Sequence, residues 1–442
     1  MKTLIPLLVL FLISACAGHQ TNSSAAQEEW LRLNREFITL YSGASYEQAL
    51  TNARKGVDLA QGFMPRDNAD LATSLNNLGV TYAALGRYEE ARGPLERALA
   101  MREQVLGRGH AEVATTLGNL GELYVNLNLP SEAEDAFIRA LEIRETAFGS
   151  ENAELADTLS SLGELYLRRG LLEQGEPLLR RALAIREKEL GPSHPQVART
   201  LDSLAGIEQA RKRFAQARPL LERSLAIKEK ALGPNHPWLI TTLSSLVEVF
   251  MAQAMVADAE PLARRAVAIG ELAYGPGSVR MAHPLTALGN LMRTQGRFEE
   301  AREIYGRVLL LQEQALPADH IDIAISLGNL ASVHYAQGRF AEAKPLYENA
   351  LAISEANLNR DHGDVAQLLH NLGVVERKLG NLDQAKSVFM RALAMRERLY
   401  GMSAPAVADT LEALAITLKD AGDEGSSSMY RQRADAIRAQ TW

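Results

Sequence analysis

The fold is decided by a stretch that reads LATSLNNLGVTYAALGRYEEARGPLERALAMREQVLG over residues 71–107. In its first half, Leu75 and Leu78 lie on one apolar stripe at helical spacing. Gly86 ends that helix, and a second amphipathic helix begins at Tyr88. Because such a pair cannot bury its apolar face alone, the stretch predicts a helical hairpin that packs against copies of itself.

The leucine pair recurs every 42 residues without drift. Its leading members are Leu75, Leu117, Leu159, Leu201, Leu243, Leu285, Leu327, Leu369 and Leu411. A fixed period of this length indicates one supersecondary unit stacked on itself. We therefore predict an all-α solenoid. The strict tiling leaves no room for an inserted catalytic domain, so we predict no enzyme activity and no cofactor.

The chain resembles the tetratricopeptide repeat (TPR) family in the order of its key residues. In one copy these are Leu75, Leu78, Gly79, Tyr82, Gly86, Tyr88, Ala91, Leu95 and Ala98. The 42-residue period and linkers such as LGPSHPQVA (190–198) are similar to the kinesin-light-chain type. The resemblance covers roughly residues 69–425. It implies a right-handed α-solenoid whose first helices line a concave groove that binds proteins or peptides.

The tiling divides the chain into five segments. We predict a signal peptide at 1–15, a lipidated cysteine and flexible tether at 16–28, a degenerate N-terminal repeat at 29–64, nine repeats at 65–425 and a capping helix at 426–442. Prolines share one register inside several second helices, as at Pro177 and Pro219, and we expect them to bend these helices without breaking them. Pro284 predicts a late start or a kink in its first helix. Ala254 replaces the turn glycine, which leaves the geometry of that turn open.

The N-terminus carries a targeting signal. Lys2 precedes an apolar run from Leu4 to Ile13, which is too short to span a bilayer and is typical of a secretory signal. The run ends in Ile13, Ser14, Ala15 and Cys16, and Cys16 is the only cysteine of the chain. This resembles the bacterial lipobox, which implies a diacylated Cys16. The alternative is an ordinary signal with an incidental cysteine.

The resemblance to a lipoprotein also implies a location. Ala17, where retained lipoproteins have aspartate, is similar to the pattern of lipoproteins sent to the outer membrane. We therefore expect the protein on the periplasmic face of that membrane, attached only through its lipid. A different sorting rule in the source organism would place it on the inner membrane. The net charge of −7 argues against nucleic acid as a partner.

Histidines and arginines at repeated registers have plain structural explanations. The histidines are His110, His194, His236, His320 and His362. Equivalent positions of stacked hairpins lie at least about 8–10 Å apart, which is too far for these histidines to share a metal ion. We therefore expect them to be loop residues that form hydrogen bonds where a helix begins. Arg102, Arg144 and Arg186, each followed by glutamate, are interpreted as solvated second-helix faces with intrahelical pairs. We predict no catalytic and no metal site.

The candidate binding residues lie on the first helices, beside the leucine stripe. One row contains Asn77, Asn119, Asn329 and Asn371. An amide both donates and accepts, so it can bind the backbone of an extended segment whatever its side chains. The alternative is that these amides bridge neighbouring helices within the stack.

Charged residues form two further candidate rows. One is acidic at Glu122, Glu164 and Glu248, and the other is basic at the last positions of the first helices, at Arg293, Arg377 and Lys378. If both rows face the groove, a partner of complementary polarity binds in one direction. The alternative is scattered solubilising charge. Trp238 occupies a register that is polar in the intact copies, so it is either an exposed anchor for a partner or folded over its own loop.

The resulting hypothesis is a lipid-anchored periplasmic scaffold that binds proteins or peptides and organises an envelope assembly, such as one for secretion, pilus formation or outer-membrane biogenesis. The class follows from the architecture, and the particular assembly is analogy. The alternative function is handling of an exported or cell-wall polysaccharide. Glycan sites usually present exposed aromatic platforms, and beyond Trp238 and Tyr335 the rows lack them.

Overall fold

The computed structural model describes residues 25–63, 69–358 and 361–440. These residues form twenty α-helices and one short 3₁₀-helix, with no β-strand among them. They belong to two compact units, which meet in the sequence between Ala231 and Leu232. The predicted signal peptide and Cys16 lie outside the described residues. No helix in the described ranges is long and apolar enough to cross a membrane.

The first unit is made of α1 to α10. Their bounds are α1 (Ala25–Ser42), α2 (Tyr46–Phe63), α3 (Ala69–Ala84), α4 (Tyr88–Leu106), α5 (Ala111–Asn126), α6 (Pro130–Phe148), α7 (Ala153–Arg168), α8 (Leu172–Leu190), α9 (Pro195–Ala210) and α10 (Phe214–Leu232). Helix α10 ends one residue beyond the unit boundary.

The second unit is made of α11 to α20. Their bounds are α11 (Leu239–Ala252), α12 (Val256–Tyr274), α13 (Ala282–Thr294), α14 (Phe298–Ala315), α15 (Ile321–Ala336), α16 (Phe340–Asn357), α17 (Gly363–Lys378), α18 (Leu382–Tyr400), α19 (Pro405–Asp420) and α20 (Glu424–Gln440). In both units the odd-numbered helices are the first helices of hairpins and the even-numbered helices are the second.

The repeated leucines hold the hairpins together. All nine leading leucines, from Leu75 to Leu411, are buried. In one copy Leu155 and Leu159 of α7 pack with Ala182 and Ile185 of α8, and the small alanine lets the two helices approach closely. Within each unit the second helices also pack on the first helix that follows, as α8 does on α9. The predicted all-α solenoid of stacked hairpins is confirmed.

The ends of the array differ in detail from the predicted segments. Helix α1 begins at Ala25, so the last residues of the predicted tether are helical. The degenerate hairpin is well packed, because Trp30 is buried and its indole N–H donates to Ser74 of α3 at 2.8 Å. Helix α20 begins at Glu424 and packs on α19 as the second helix of the last hairpin.

The helices with interior prolines are unbroken, and the helix that contains Pro284 begins late. Helices α8 and α10 continue without a break through Pro177 and Pro219. Helix α13 begins late, at Ala282, after the 3₁₀-helix Val279–Met281, so that Pro284 occupies its third position. The missing N–H of a proline costs nothing there, because the first turn of a helix has no intrahelical acceptor for it.

An outer ladder of arginines links neighbouring second helices. Arg307 of α14 donates to Glu271 of α12 at 2.9 Å and to the carbonyl of Pro276 at 3.0 Å. Arg223 of α10 makes the equivalent contacts with Glu187 and the carbonyl of Pro192. Each arginine therefore joins its own hairpin to the loop that leads into it.

The turn inside each hairpin needs one residue in the left-handed region. Gly86, Gly170, Gly296, Gly338, Gly380 and Gly422 supply it at φ of 71–83°. Ala254 adopts the same conformation at φ 59°. Asn128 and Lys212 occupy the same register with φ 58°, so the left-handed turn is kept in copies without glycine, at the expense of backbone strain in residues that carry a Cβ.

Ala254→Gly is accordingly expected to stabilise the protein. Relief of left-handed strain is worth about 1–2 kcal/mol, and the extra flexibility of glycine in the unfolded chain removes about half of that. The net gain, about 0.5–1 kcal/mol, is measured by urea unfolding of the full chain. The reverse change, Gly296→Ala, is the control: no atom lies within 4 Å of the added Cβ, so only the backbone opposes it. A lower stability of the Ala254→Gly variant would contradict the interpretation that the backbone of Ala254 is strained.

Candidate binding surface

The first helices present a polar row that we call the first-helix face, formed by the registers of Asn119 and Glu122. In the first unit its members bridge one first helix to the next. The hydroxyl of Ser161 on α7 donates to Glu122 on α5, and that of Ser203 on α9 donates to Glu164 on α7 at 3.0 Å. Burial raises the pKa of the Glu122 carboxyl, and the Ser161 hydroxyl opposes that rise. These carboxylates therefore link neighbouring first helices along the face.

An arginine completes this acidic part of the face. The Arg199 guanidinium of α9 lies 3.2 Å from the Glu164 carboxylate of α7, and both side chains are partly exposed. The negative charge of Glu164 in the predicted acidic row is thus paired with Arg199 within the first unit. In the second unit Glu248 is exposed on α11.

The asparagines divide into two groups. Asn77 is 2% exposed and donates to Asn34 of α1 at 3.0 Å. Asn119 is half-buried and donates to Asn76 of α3 at 2.9 Å. At these two positions the structure favours the alternative in which amides bridge neighbouring hairpins, and the prediction that Asn77 faces a groove is wrong because its side chain is buried.

In the second unit the amides remain on the surface. Asn329 of α15 is half-buried, and its side chain lies at the register of the face. Asn371 of α17 accepts from Gln367 at 2.8 Å and hydrogen-bonds the Tyr347 hydroxyl of α16. Burial raises the pKa of Tyr347 to about 12. Arg293, Arg377 and Lys378 lie near the C-terminal ends of their first helices, as expected, and Arg293 and Lys378 are exposed.

Trp238 is not a fully exposed anchor. Its backbone N–H donates to Nδ1 of His236 at 3.2 Å, and its ring meets the His236 ring edge to face at 5.5 Å. The side chain is half-buried. The structure favours the interpretation in which the tryptophan is folded over its own loop.

The repeated histidines cap helices, as predicted. In each case Nδ1 accepts from the backbone N–H two residues later. This N–H belongs to the first turn of a first helix, except at His236, where it is that of Trp238 in the turn directly before α11. The five are His110, His194, His236, His320 and His362. Asn152 does the same at α7 with its amide oxygen at 2.9 Å. Within the described ranges no three His, Cys, Asp or Glu side chains are placed to hold a metal ion.

Removal of a histidine cap is expected to lower the stability of the protein by a small amount. His320→Ala leaves one N–H of α15 without its acceptor, and a lost cap costs about 1 kcal/mol. His320→Asn restores an acceptor of the kind that Asn152 provides at α7 and is expected to unfold at the urea concentration of the native protein. Equal unfolding midpoints for the alanine and asparagine variants would mean that the cap contributes nothing.

A row of buried arginines contradicts the predicted solvated second-helix face. Arg102, Arg144 and Arg186 are 2%, 5% and 2% exposed, and Arg396 is 5% exposed. They do not form intrahelical pairs with the following glutamates. Each instead reaches from a second helix to the first helix of the next hairpin, where it donates to a threonine hydroxyl, as Arg102 does to Thr116 at 2.7 Å. Burial lowers the pKa of each guanidinium.

These arginines also reach the first helix of their own hairpin. Arg186 donates to Asp157 of α7 at 2.6 Å, and Arg396 donates to Gln367 of α17 at 2.7 Å. They fix the first helices from the side of the second helices. They therefore position the first-helix face without being part of it. One signal could have revealed them: they lie four residues after a buried alanine, on the apolar side of the helix.

The described geometry defines a helical-repeat protein with a polar face on its first helices. A tetratricopeptide repeat model matches residues 40–104, 70–146, 154–230, 200–271, 241–314, 280–356, 322–398 and 364–439. The chain belongs to the tetratricopeptide repeat family, whose arrays are protein-binding scaffolds. No curated protein matches the chain.

Several solved structures are similar. Aspartyl phosphate phosphatase F from Bacillus subtilis is 14% identical, over 87% of this chain and 98% of that one, with a TM-score of 0.54. A Rap protein complexed with competence and sporulation factor is 15% identical, over 84% and 98%, with a TM-score of 0.59. These two show a shared fold. A putative kinesin light chain from Podosopora anserina is 25% identical over 46% and 97%, with a TM-score of 0.41.

Proposed function

We propose that this protein is a scaffold of the bacterial cell envelope, anchored through a lipid on Cys16 to the periplasmic face of the outer membrane. It holds an extended segment of a partner protein on its first-helix face and so organises an envelope assembly. The lipid anchor rests on the sequence Ile13, Ser14, Ala15 and Cys16.

The observation that carries the binding proposal is the pair Asn329 and Asn371. They occupy the same register of neighbouring first helices and keep part of their side chains at the surface. An amide offers both a donor and an acceptor, so a series of amides can hydrogen-bond the backbone of an extended segment. The partly exposed hydroxyls of Ser161 and Ser203 occupy that register in the first unit.

The binding proposal is tested by affinity capture from crosslinked envelopes. We expect the native protein to capture a discrete set of proteins, and the double variant Asn329→Ala with Asn371→Ala to lose it. The matched control changes two exposed amides on second helices, Asn349→Ala and Gln384→Ala, and keeps the set. Equal capture by all three proteins would contradict binding on the first-helix face. Capture of envelope polysaccharide without protein would support the alternative function.

The anchor is tested separately. We expect Cys16→Ser to move the protein from the membrane fraction to the soluble periplasmic fraction and to remove the mass of the attached lipid. Ala17→Ser is a control that keeps the cysteine. Retention of Cys16→Ser in the membrane fraction would contradict a lipid anchor at this residue.

A further inference from the structure

The outer ladder of arginines has one gap, at Asn349 of α16. In the other copies the same register of the second helix holds an arginine. These residues are Arg97, Arg139, Arg181, Arg223, Arg265, Arg307, Arg391 and Arg433. Because the neighbouring copies show what an arginine contacts at this register, they also show which contacts are missing at Asn349.

Each complete step of the ladder places one guanidinium between two acceptors. The first acceptor is a carboxylate 36 residues earlier, on the preceding second helix, as Glu187 is for Arg223 at 2.6 Å. The second is a backbone carbonyl 31 residues earlier, in the loop between hairpins, as that of Pro192 is at 3.2 Å. Arg181 and Arg307 donate to both kinds of acceptor in the same way. We call such a pair of acceptors an arginine slot.

The slot that corresponds to Asn349 is open. By correspondence with Glu271 and Pro276, its acceptors are the Glu313 carboxylate of α14 and the carbonyl of Ala318. Glu313 is exposed, and in the described part of the chain no cation pairs with it. The exposed Asn349 side chain is uncharged, and among the same residues it forms no hydrogen bond to Glu313.

The loop beside the open slot is held by other contacts. The His320 N–H donates to the Pro317 carbonyl at 2.9 Å, as the His194 N–H does to Gly191 at 3.2 Å. The Asn357 amide of α16 donates to the carbonyl of the residue before His320, at 2.7 Å. The loop therefore does not need an arginine of its own chain, and the slot can receive a guanidinium from another molecule.

Two exposed leucines lie beside the open slot. Leu310 lies one turn before Glu313 on α14 and is 53% exposed. Its register holds exposed alanines in other copies, which are Ala100, Ala184, Ala226, Ala268, Ala352 and Ala394. Leu272 of α12 is 75% exposed and directly follows Glu271, to which Arg307 of α14 donates. Since Arg307 and Leu310 lie one turn apart, the missing arginine and the two leucines belong to one surface.

We propose that this surface, the second-helix face of α12 to α16, binds a partner protein by receiving one of its arginines in the slot at Glu313. An apolar residue of the same partner segment covers Leu310 and Leu272. A guanidinium and a carboxylate form a strong charge-assisted pair, and cover of the exposed leucines adds apolar contact. The surface is separate from the first-helix face, so the inference goes beyond the proposed function and does not rest on it.

The experiment uses the full chain and fluorescein-labelled nonapeptide pools, read by fluorescence polarisation. Every peptide of the first pool carries one arginine and one leucine at varied spacing in a background of Ala, Gly and Ser. The second pool replaces the arginine by citrulline, which has the same shape without the charge, and the third replaces it by lysine. We expect the arginine pool to bind about tenfold more tightly than the citrulline pool. Lysine should bind less tightly than arginine, because one ammonium does not match both acceptors. Equal affinity of the arginine and citrulline pools would overturn the proposal.

Three variants test the slot and the leucines. Glu313→Gln is expected to weaken binding of the arginine pool about tenfold. Asn349→Arg completes the ladder within the chain, and we expect it to cause the same loss while raising the Tm. Leu310→Ala restores the residue of the other copies and is expected to weaken binding about threefold, with an unchanged Tm.

Two controls change the same chemistry at places where no slot is open. Gln384→Arg adds an exposed arginine on α18, and Glu355→Gln removes a carboxylate that Arg391 already occupies at 2.5 Å. Both are expected to keep the affinity of the native protein. A preference for arginine that survives in Asn349→Arg would place the bound arginine elsewhere and overturn the inference.

Sedimentation velocity separates a partner protein from a second copy of this chain. We expect the native protein and Asn349→Arg to sediment alike. A native dimer that becomes a monomer in Asn349→Arg would mean that a second copy fills the slot, which would overturn binding of a different protein there. The capture experiment with Asn329 and Asn371 decides the proposed function separately, because neither residue belongs to the second-helix face.

Discussion

Arg186→Ala is expected to destabilise the first unit by about 3 kcal/mol. The substitution removes two buried methylene groups, worth about 0.8 kcal/mol each, and the hydrogen bonds to Ser160, Thr200 and Asp157. Relief from burying a charged guanidinium offsets part of this loss. Asp157 is partly exposed and can be hydrated, so it adds little to the total.

The effect should be local, because a repeat array loses contacts only with neighbouring hairpins. Hydrogen exchange of the full chain is therefore the suitable measurement, and we expect faster exchange in α8 and α9 with no change in α18. Arg186→Met keeps most of the side-chain volume and is expected to lose about 1 kcal/mol, the value of the missing hydrogen bonds after relief of desolvation.

The matched control is Arg180→Ala in the same helix. The Arg180 side chain is 64% exposed and pairs with Glu176 four residues earlier, and pairs of this kind contribute about 0.3–0.5 kcal/mol. Equal exchange in Arg180→Ala and Arg186→Ala would show that the buried contacts between α8 and α9 add no stability.

The array of helical hairpins could be predicted because its key residues recur at a fixed spacing. The leucine at the register of Leu75 and the glycine at the register of Gly86 each repeat, and one repetition confirms another. The histidine caps were predictable for the same reason. Their register places them directly before a first helix, where a side-chain acceptor satisfies a free N–H.

The binding surface could be predicted only in part, since the position of a residue within the repeat does not show how deeply its side chain is buried. Asn77 and Asn371 occupy one register, yet the first is buried against Asn34 and the second stays at the surface. The difference depends on the neighbouring hairpin, which is the degenerate α1 and α2 for Asn77. Arg186 was misassigned for a related reason. A long charged side chain usually extends into solvent, and only the threonine of the next hairpin makes its burial favourable.

Gly121→Ala is expected to destabilise the protein by about 2 kcal/mol. A Cβ at Gly121 would lie 2.5–2.8 Å from three ring atoms of Phe137, whose side chain is 1% exposed. Overpacking of a core costs about 1–3 kcal/mol, and a clash of this depth belongs at or above the upper end. The better helix propensity of alanine returns about 1 kcal/mol.

The same helix provides the control. Gly118 lies three residues before Gly121 in α5, and no atom lies within 4 Å of a Cβ added there. Gly118→Ala therefore gains the propensity without the clash and is expected to stabilise the protein by up to about 1 kcal/mol. Urea unfolding should thus separate two identical substitutions, one turn apart, by about 3 kcal/mol. Similar midpoints for both variants would mean that α5 and α6 can move apart, and that the glycine is not required for their close approach.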